Sequence, residues 1–147
     1  PIPVGYRQEN PATLSAPQAK LTGALRFYQR QGYAHDFVTG WSGRDDAMTW
    51  TVQPVRAGRY AVAIEYRAPA AGSWMSVSGL AGRKTRRGVE MAELPLPHRV
   101  HNGNEAPVVH WAKLDVGRLS LEARETEIEL RVSGTPADIK SMKLLLE

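Results

Sequence analysis

The stretch that most constrains this chain is Gly58-Arg59-Tyr60-Ala61-Val62-Ala63-Ile64-Glu65-Tyr66-Arg67-Ala68. Tyr60, Val62, Ile64 and Tyr66 fall on one side of a two-residue period, with Arg59, Glu65 and Arg67 on the other. That alternation belongs to a strand buried on one face and wet on the other. Upstream, Met48, Trp50 and Val52 alternate with Ala47, Thr49 and Thr51 in the same way. Pro54-Val55-Arg56-Ala57-Gly58 joins the two runs as a hairpin connection. The chain is therefore expected to be organised around an antiparallel hairpin in which no residue is catalytic.

Other segments repeat the pattern. Phe37 to Trp41 and Trp74 to Ser78 read as short strands, and a further strand is expected near Thr85 to Met91. Val108 to Val116 places Ala112, Leu114 and Val116 on one face, and Leu119 and Leu121 continue it beyond Gly117. In Glu125 to Ser133, Ile128, Leu130 and Val132 alternate with Glu127, Glu129 and Arg131. Ile139 to Leu146 closes the chain, with a bulge expected near Lys140-Ser141, where the alternation slips by one. Residues 18–31 fit a helical stripe less well than strands and turns. Short strands at this spacing, without a long helix, indicate an all-β fold, an antiparallel β-sandwich. Residues 1–12, rich in Pro, Asn and Gln, are expected to be a linker or extended arm, and 13–147 the sandwich domain.

Composition narrows function mainly by exclusion. At 147 residues and 42% hydrophobic, the chain has the size and apolar content of one globular domain. No apolar run approaches the ~20 residues needed to cross a bilayer as a helix. There is no Cys, which excludes disulfides, thiolate metal sites and cysteine nucleophiles. The chain opens at Pro1-Ile2-Pro3, which is expected of a fragment or processed product. The net charge is +4, and one basic cluster stands out: Arg83, Lys84, Arg86 and Arg87 between Gly82 and Gly88. This is either a solvated loop or a site for sulfate, carboxylate or phosphate groups. No aromatic residues interleave with it, so nucleic acid is not an expected partner.

Catalytic patterns are absent. His35, His98, His101 and His110 lack helical metal-ligand spacing, and there is no nucleophile elbow or phosphate-cradling loop. Asp45-Asp46 and Glu90/Glu93 do not make a convergent acid pair, because neighbours on a strand point to opposite faces. The chain is read as no enzyme and as holding no catalytic metal. The tryptophans say more. Trp50 points to the core by alternation, whereas Trp74 opposes Met75 and Val77, and Trp111 opposes Ala112, Leu114 and Val116. Outward indoles at strand edges either stack sugar C–H faces or lie under neighbouring loops.

The phrases Leu14-Ser15-Ala16, Ala19-Lys20-Leu21-Thr22-Gly23, Phe37-Val38-Thr39-Gly40-Trp41, Met48-Thr49-Trp50-Thr51-Val52 and Ala57-Gly58-Arg59-Tyr60 occur in an order that resembles carbohydrate-binding modules of families six and thirty-five. Ala137-Asp138-Ile139-Lys140-Ser141-Met142 resembles their final strand. Leu21-Thr22-Gly23, Trp111-Ala112-Lys113-Leu114 and the closing Asp138-Ile139-Lys140 also resemble the C-terminal β-sandwich of some bacterial sulfatases. The resemblance spans about 13–147 and implies a galactose-binding-like jelly roll. It further implies non-catalytic recognition of glycan by an ancillary domain of a secreted or periplasmic glycan-degrading enzyme, with a sulfatase among the candidate parents. The alternative is a structural domain that packs on its catalytic partner and binds no sugar. Trp74, Trp111, Arg83, Lys84, Arg86 and Arg87 are the expected ligand-binding residues, with an anionic glycan, sulfated or uronate-bearing, favoured. Such modules often hold a structural calcium through two first-strand acids and a last-strand Asp. Ser15 and Pro17 stand at the first-strand positions here, leaving Asp138 alone, so no metal is expected. The Asn that many modules use for sugar in the final loop is replaced by Gly134-Thr135-Pro136-Ala137.

Overall fold

The computed structural model describes residues 1–28, 37–68, 73–79, 84–89 (as backbone), 111–134 and 136–147. The described strands are β1 (Ile2–Val4), β2 (Ala12–Ser15), β3 (Lys20–Thr22), β4 (Arg26–Phe27), β5 (Val38–Thr39), β6 (Ala47–Pro54), β7 (Gly58–Arg67), β8 (Ser73–Gly79), β9 (Lys84–Val89), β10 (Ala112–Leu121), β11 (Thr126–Gly134) and β12 (Asp138–Leu146). One 3-10 turn, Ala16–Gln18, lies between β2 and β3. The two runs expected to make an antiparallel hairpin are both strands, but they do not form that hairpin, because each pairs within a different sheet. β6 lies in the first sheet, ordered β1-β6-β11-β8-β9 with β3 also on β6. β7 lies in the second, ordered β10-β7-β12-β5-β4 with β2 on β12. The connection at 54–58 therefore crosses between layers, as sandwich topologies do.

Alternation decides what fills the space between the sheets. Trp50, Tyr60, Ile64, Ile128, Leu130 and Met142 are fully buried there, and Val62 and Val132 are nearly so. The two largest still satisfy their polar tips: Trp50 Nε1 donates to the Ser15 carbonyl (2.9 Å) and the Tyr60 hydroxyl to the Arg56 carbonyl (2.7 Å). The bulge in the last strand is real, since the β12–β7 register shifts between Ile139 and Ser141. A second shift, between Asp115 and Gly117 in β10, carries the inward pattern over to Val116, Leu119 and Leu121.

The stretch read as a linker or extended arm starts as part of the sheet. Ile2–Val4 run parallel to β6, Val4 is buried, and Val55 N–H donates to the Val4 carbonyl at 2.9 Å. Gly5 then takes φ +89°, and any Cβ there would meet the Tyr60 hydroxyl at 2.3 Å. Farther along, the Asn10 amide donates to the Leu146 carbonyl (3.0 Å) and its oxygen accepts from Leu146 N–H (2.9 Å). A side-chain amide thus pairs with the end of β12 as a strand would.

Candidate functional site

One end of the sandwich gathers the informative residues: the segment before β6, the end of β7, and the starts of β8, β10 and β12. Antiparallel pairing requires this, because the start of β6 lies beside the end of β11 and the start of β10 beside the end of β7. The two candidate tryptophans both belong to this end, on different sheets.

Trp74 stands on β8 with its indole turned away from the core and is 47% exposed, the highest among the large apolar side chains of the described residues. Beside it lies an open groove of about 1030 Å³, lined by Trp41, Ser42, Arg44, Trp74, Arg131 and Pro136 among others. Arg131 is committed: its Nε donates to Glu129 (2.6 Å) and its Nη1 to the Arg44 carbonyl. The Arg44 guanidinium makes no ion pair among the described residues, and its side chain is exposed.

The groove wall is set by Asp46. Its buried carboxylate accepts N–H bonds from Ser42 (2.5 Å), Ala24 (2.8 Å) and Gly43 (3.0 Å), and is 3.3 Å from the Ser42 hydroxyl. The Ser42 and Ala24 amides hold this carboxyl below the usual carboxylate range, against the opposing push of burial. Gly23, at φ +76°, is required here, since a Cβ would meet Asp46 Oδ1 at 2.1 Å. Asp45, its neighbour, is exposed. The two acids thus serve different surroundings.

The basic cluster is differently arranged from the loop that its sequence suggests. Arg83 lies outside the described residues. Lys84, Arg86 and Arg87 belong to the edge strand β9, opposite Ser78, Ser76 and Met75, while Gly88 stands opposite Trp74. Cross-strand partners share a face, so the register positions of Lys84 and Arg86 go with Trp74. Arg87's register position goes with Met75, a core residue. Lys84, Arg86 and Arg87 are therefore not one patch in register terms.

Trp111, half-buried, belongs to a separate cluster on the second sheet. Tyr28 and Phe37 stack at 4.4 Å between centroids, and Phe37 meets Trp111 at 5.4 Å with the rings 58° apart. The Arg67 guanidinium lies 5.2 Å from the Phe37 centroid and 5.3 Å from that of Trp111, with Lys140 Nζ 5.7 Å from the same indole. Arg67 also donates from Nη2 (2.6 Å) and Nε (3.1 Å) to Asp138 Oδ2. The alternation of β7 does place Arg67 on the outer face. What it cannot supply is the company of Tyr28 and Phe37, which come from the irregular segments flanking β4 and β5.

The residues that the resemblance assigns to calcium do not fit one. Calcium takes six to eight oxygens. Asp138 is held by Arg67, the Ser15 hydroxyl is bonded to Gln18 Oε1 (3.0 Å), and Pro17 brings no side-chain oxygen. Among the described residues no group of three or more His, Asp or Glu side chains is placed to hold a metal. His35, His98, His101, His110, Glu90 and Glu93 lie outside the described residues. No helix among the described residues is long and apolar enough to cross a membrane.

No protein-family model and no curated protein matches the chain. Solved structures do. A β-(1,4)-mannanase of Podospora anserina that carries a family-35 carbohydrate-binding module superposes with TM-score 0.68 at 19% identity, over 95% of this chain and 28% of that one. The C-terminal family-6 module of a laminarinase from Zobellia galactanivorans matches with TM-score 0.62 and 14% identity, over 92% and 99% of the two chains. The family-6 module of a Cellvibrio mixtus lichenase, solved with cellotriose, matches with TM-score 0.61 and 12% identity, over 94% and 98%. The fold is thus the jelly-roll β-sandwich of family-6 and family-35 modules, and the chain spans about a quarter of the mannanase's length.

Proposed function

We propose that this chain is a non-catalytic, glycan-recognising domain, ancillary to a secreted or periplasmic glycan-degrading enzyme, and that its glycan is anionic. The observation that carries the reading is Trp74: a large indole, 47% exposed, beside an open groove. A buried indole would support packing alone, whereas an exposed one offers a face for pyranose C–H groups. Support for the class comes from the fold neighbours, which are modules of a laminarinase and a lichenase and part of a mannanase. A sulfatase parent rests only on the resemblance of Leu21-Thr22-Gly23, Trp111-Ala112-Lys113-Leu114 and Asp138-Ile139-Lys140.

The anionic preference rests on charge. Lys84 and Arg86 share Trp74's face by register, and Arg44 has no ion-pair partner among the described residues. Guanidinium forks match sulfate and carboxylate oxygens in pairs. Exposed ion pairs contribute only about 0–1 kcal/mol each, so several act together and salt weakens them over about 8 Å. The experiment is a titration with sulfated and unsulfated forms of one oligosaccharide, on the native chain and on Lys84→Ala/Arg86→Ala. Tighter binding of the sulfated form, reduced in the double variant and by salt, is expected. Equal affinity for both forms refutes the anionic preference. No binding to a broad glycan panel refutes recognition itself and favours a domain that only packs on its catalytic partner.

A further inference from the structure

We infer that Arg67 is a built-in cation that positions the aromatic residues of the loop end, so that their arrangement depends on this side chain and not on a bound divalent ion. Asp138 presents a carboxylate at the start of β12, where its Oδ2 takes both Nε and Nη2 of Arg67. A carboxylate shared by two N–H groups of one guanidinium is fixed in direction as well as in distance. The plane of that guanidinium is then available to the rings. Its carbon lies 5.2 Å from Phe37 and 5.3 Å from Trp111, within the range of cation–π attraction.

Four separately positioned pieces of chain meet at this one group. Arg67 ends β7 and Asp138 begins β12, two neighbouring strands of the sheet. Phe37, stacked on Tyr28, comes from beside the short β4–β5 pair, and Trp111 from just before β10. Short strands of two residues supply little pairing of their own. A cation that contacts both rings and is anchored to the sheet supplies the missing constraint. An ammonium could not do the same, because it lacks the flat fork that satisfies Asp138 and faces two rings together. Lys140, 5.7 Å from the Trp111 centroid, adds charge at the same indole without replacing that geometry.

Arg67 is a positioning residue on this account, and only the binding arm of its test rests on the glycan-recognition reading. The test uses the whole chain as Arg67→Met and Arg67→Lys, with Leu121→Ala as a control destabilised at the far end of β10. Trp111 fluorescence, taken as the difference from each protein's Trp111→Phe form, is the direct readout. Arg67→Met is expected to shift that emission and raise its quenching by acrylamide, with Tm lower by roughly 3–8 °C. Arg67→Lys should recover less than half of the change. The control should lower Tm while leaving the Trp111 signal in place. Chelator and added calcium should leave the native chain's Tm and Trp111 signal unchanged. An unchanged Trp111 signal in Arg67→Met, or a native Tm that falls on chelation, overturns the inference. Glycan affinity is measured alongside: a chain that binds no glycan but shows the spectral shift refutes recognition and leaves the positioning role standing.

Discussion

Trp50 and Trp74 stand on strands of the same sheet and differ in nearly everything else. Trp50, on β6, is fully buried, pairs across to Ile128, and donates its N–H to the Ser15 carbonyl. Trp74, on β8, pairs across to Ser133 and Gly88, and is 47% exposed. Strand parity separates them, since one faces the second sheet and the other faces away. The lesson is that the same residue type, on the same sheet, is assigned to packing or to surface by its place in a two-residue period. Trp111 is an intermediate case, half-buried and in contact with Phe37, Arg67 and Lys140.

Substitutions sharpen this contrast in order of their expected cost. Trp50→Ala should destabilise the fold by about 3–5 kcal/mol, because a large cavity opens and the Ser15 carbonyl loses its donor. A loss below about 1 kcal/mol in denaturant unfolding would mean that the inner face has been misread. Ile64→Ala, on the facing sheet, should cost roughly 2–5 kcal/mol by the same measurement.

The groove wall should show a smaller and pH-dependent effect. Asp46→Ala leaves the amides of Ala24, Ser42 and Gly43 without their shared acceptor and should cost about 1–3 kcal/mol. The folded-state pKa of Asp46 is lowered, so its carboxylate stabilises the fold at a pH above the unfolded value, about 4. That contribution is lost as pH falls through the lower folded value. Asp46→Asn should therefore lose less stability than the native chain between neutral pH and strong acid, as followed by Tm. Parallel acid profiles for the two proteins would remove Asp46 from this role. Trp74→Ala, last in order, should change stability by less than about 1 kcal/mol, as exposed positions usually do.

Much of the framework is legible in the sequence because sheet periodicity is local. The runs at 47–54, 58–67 and 126–134 announce their inner and outer faces, and the slip at 139–141 announces its bulge. Which sheet each strand joins is not local. Pro54 to Gly58 looks like a hairpin turn, yet it carries the chain from one layer to the other. The short strands β1 to β5 have too few residues for a period to register, and partners distant in sequence define them: Val4 with Val55, Leu14 with Met142, Val38 with Ile139. The site divides in the same manner. Outward parity marks Trp74 and Trp111, while the Asp46 cradle and the Arg67 cluster depend on contacts between loops. The basic run at 83–87 reads as one patch along the chain, but within β9 the register sets Lys84 and Arg86 apart from Arg87.

The central claim, that Trp74 is a binding surface and Trp50 a packing element, is tested most directly by calorimetric titration of a sulfated oligosaccharide into the native chain and Trp74→Ala, with Tm measured on both. The account predicts binding by the native chain, at least a tenfold loss in the variant (about 1.4 kcal/mol), and nearly equal melting temperatures. Undiminished affinity in a folded Trp74→Ala protein would contradict it.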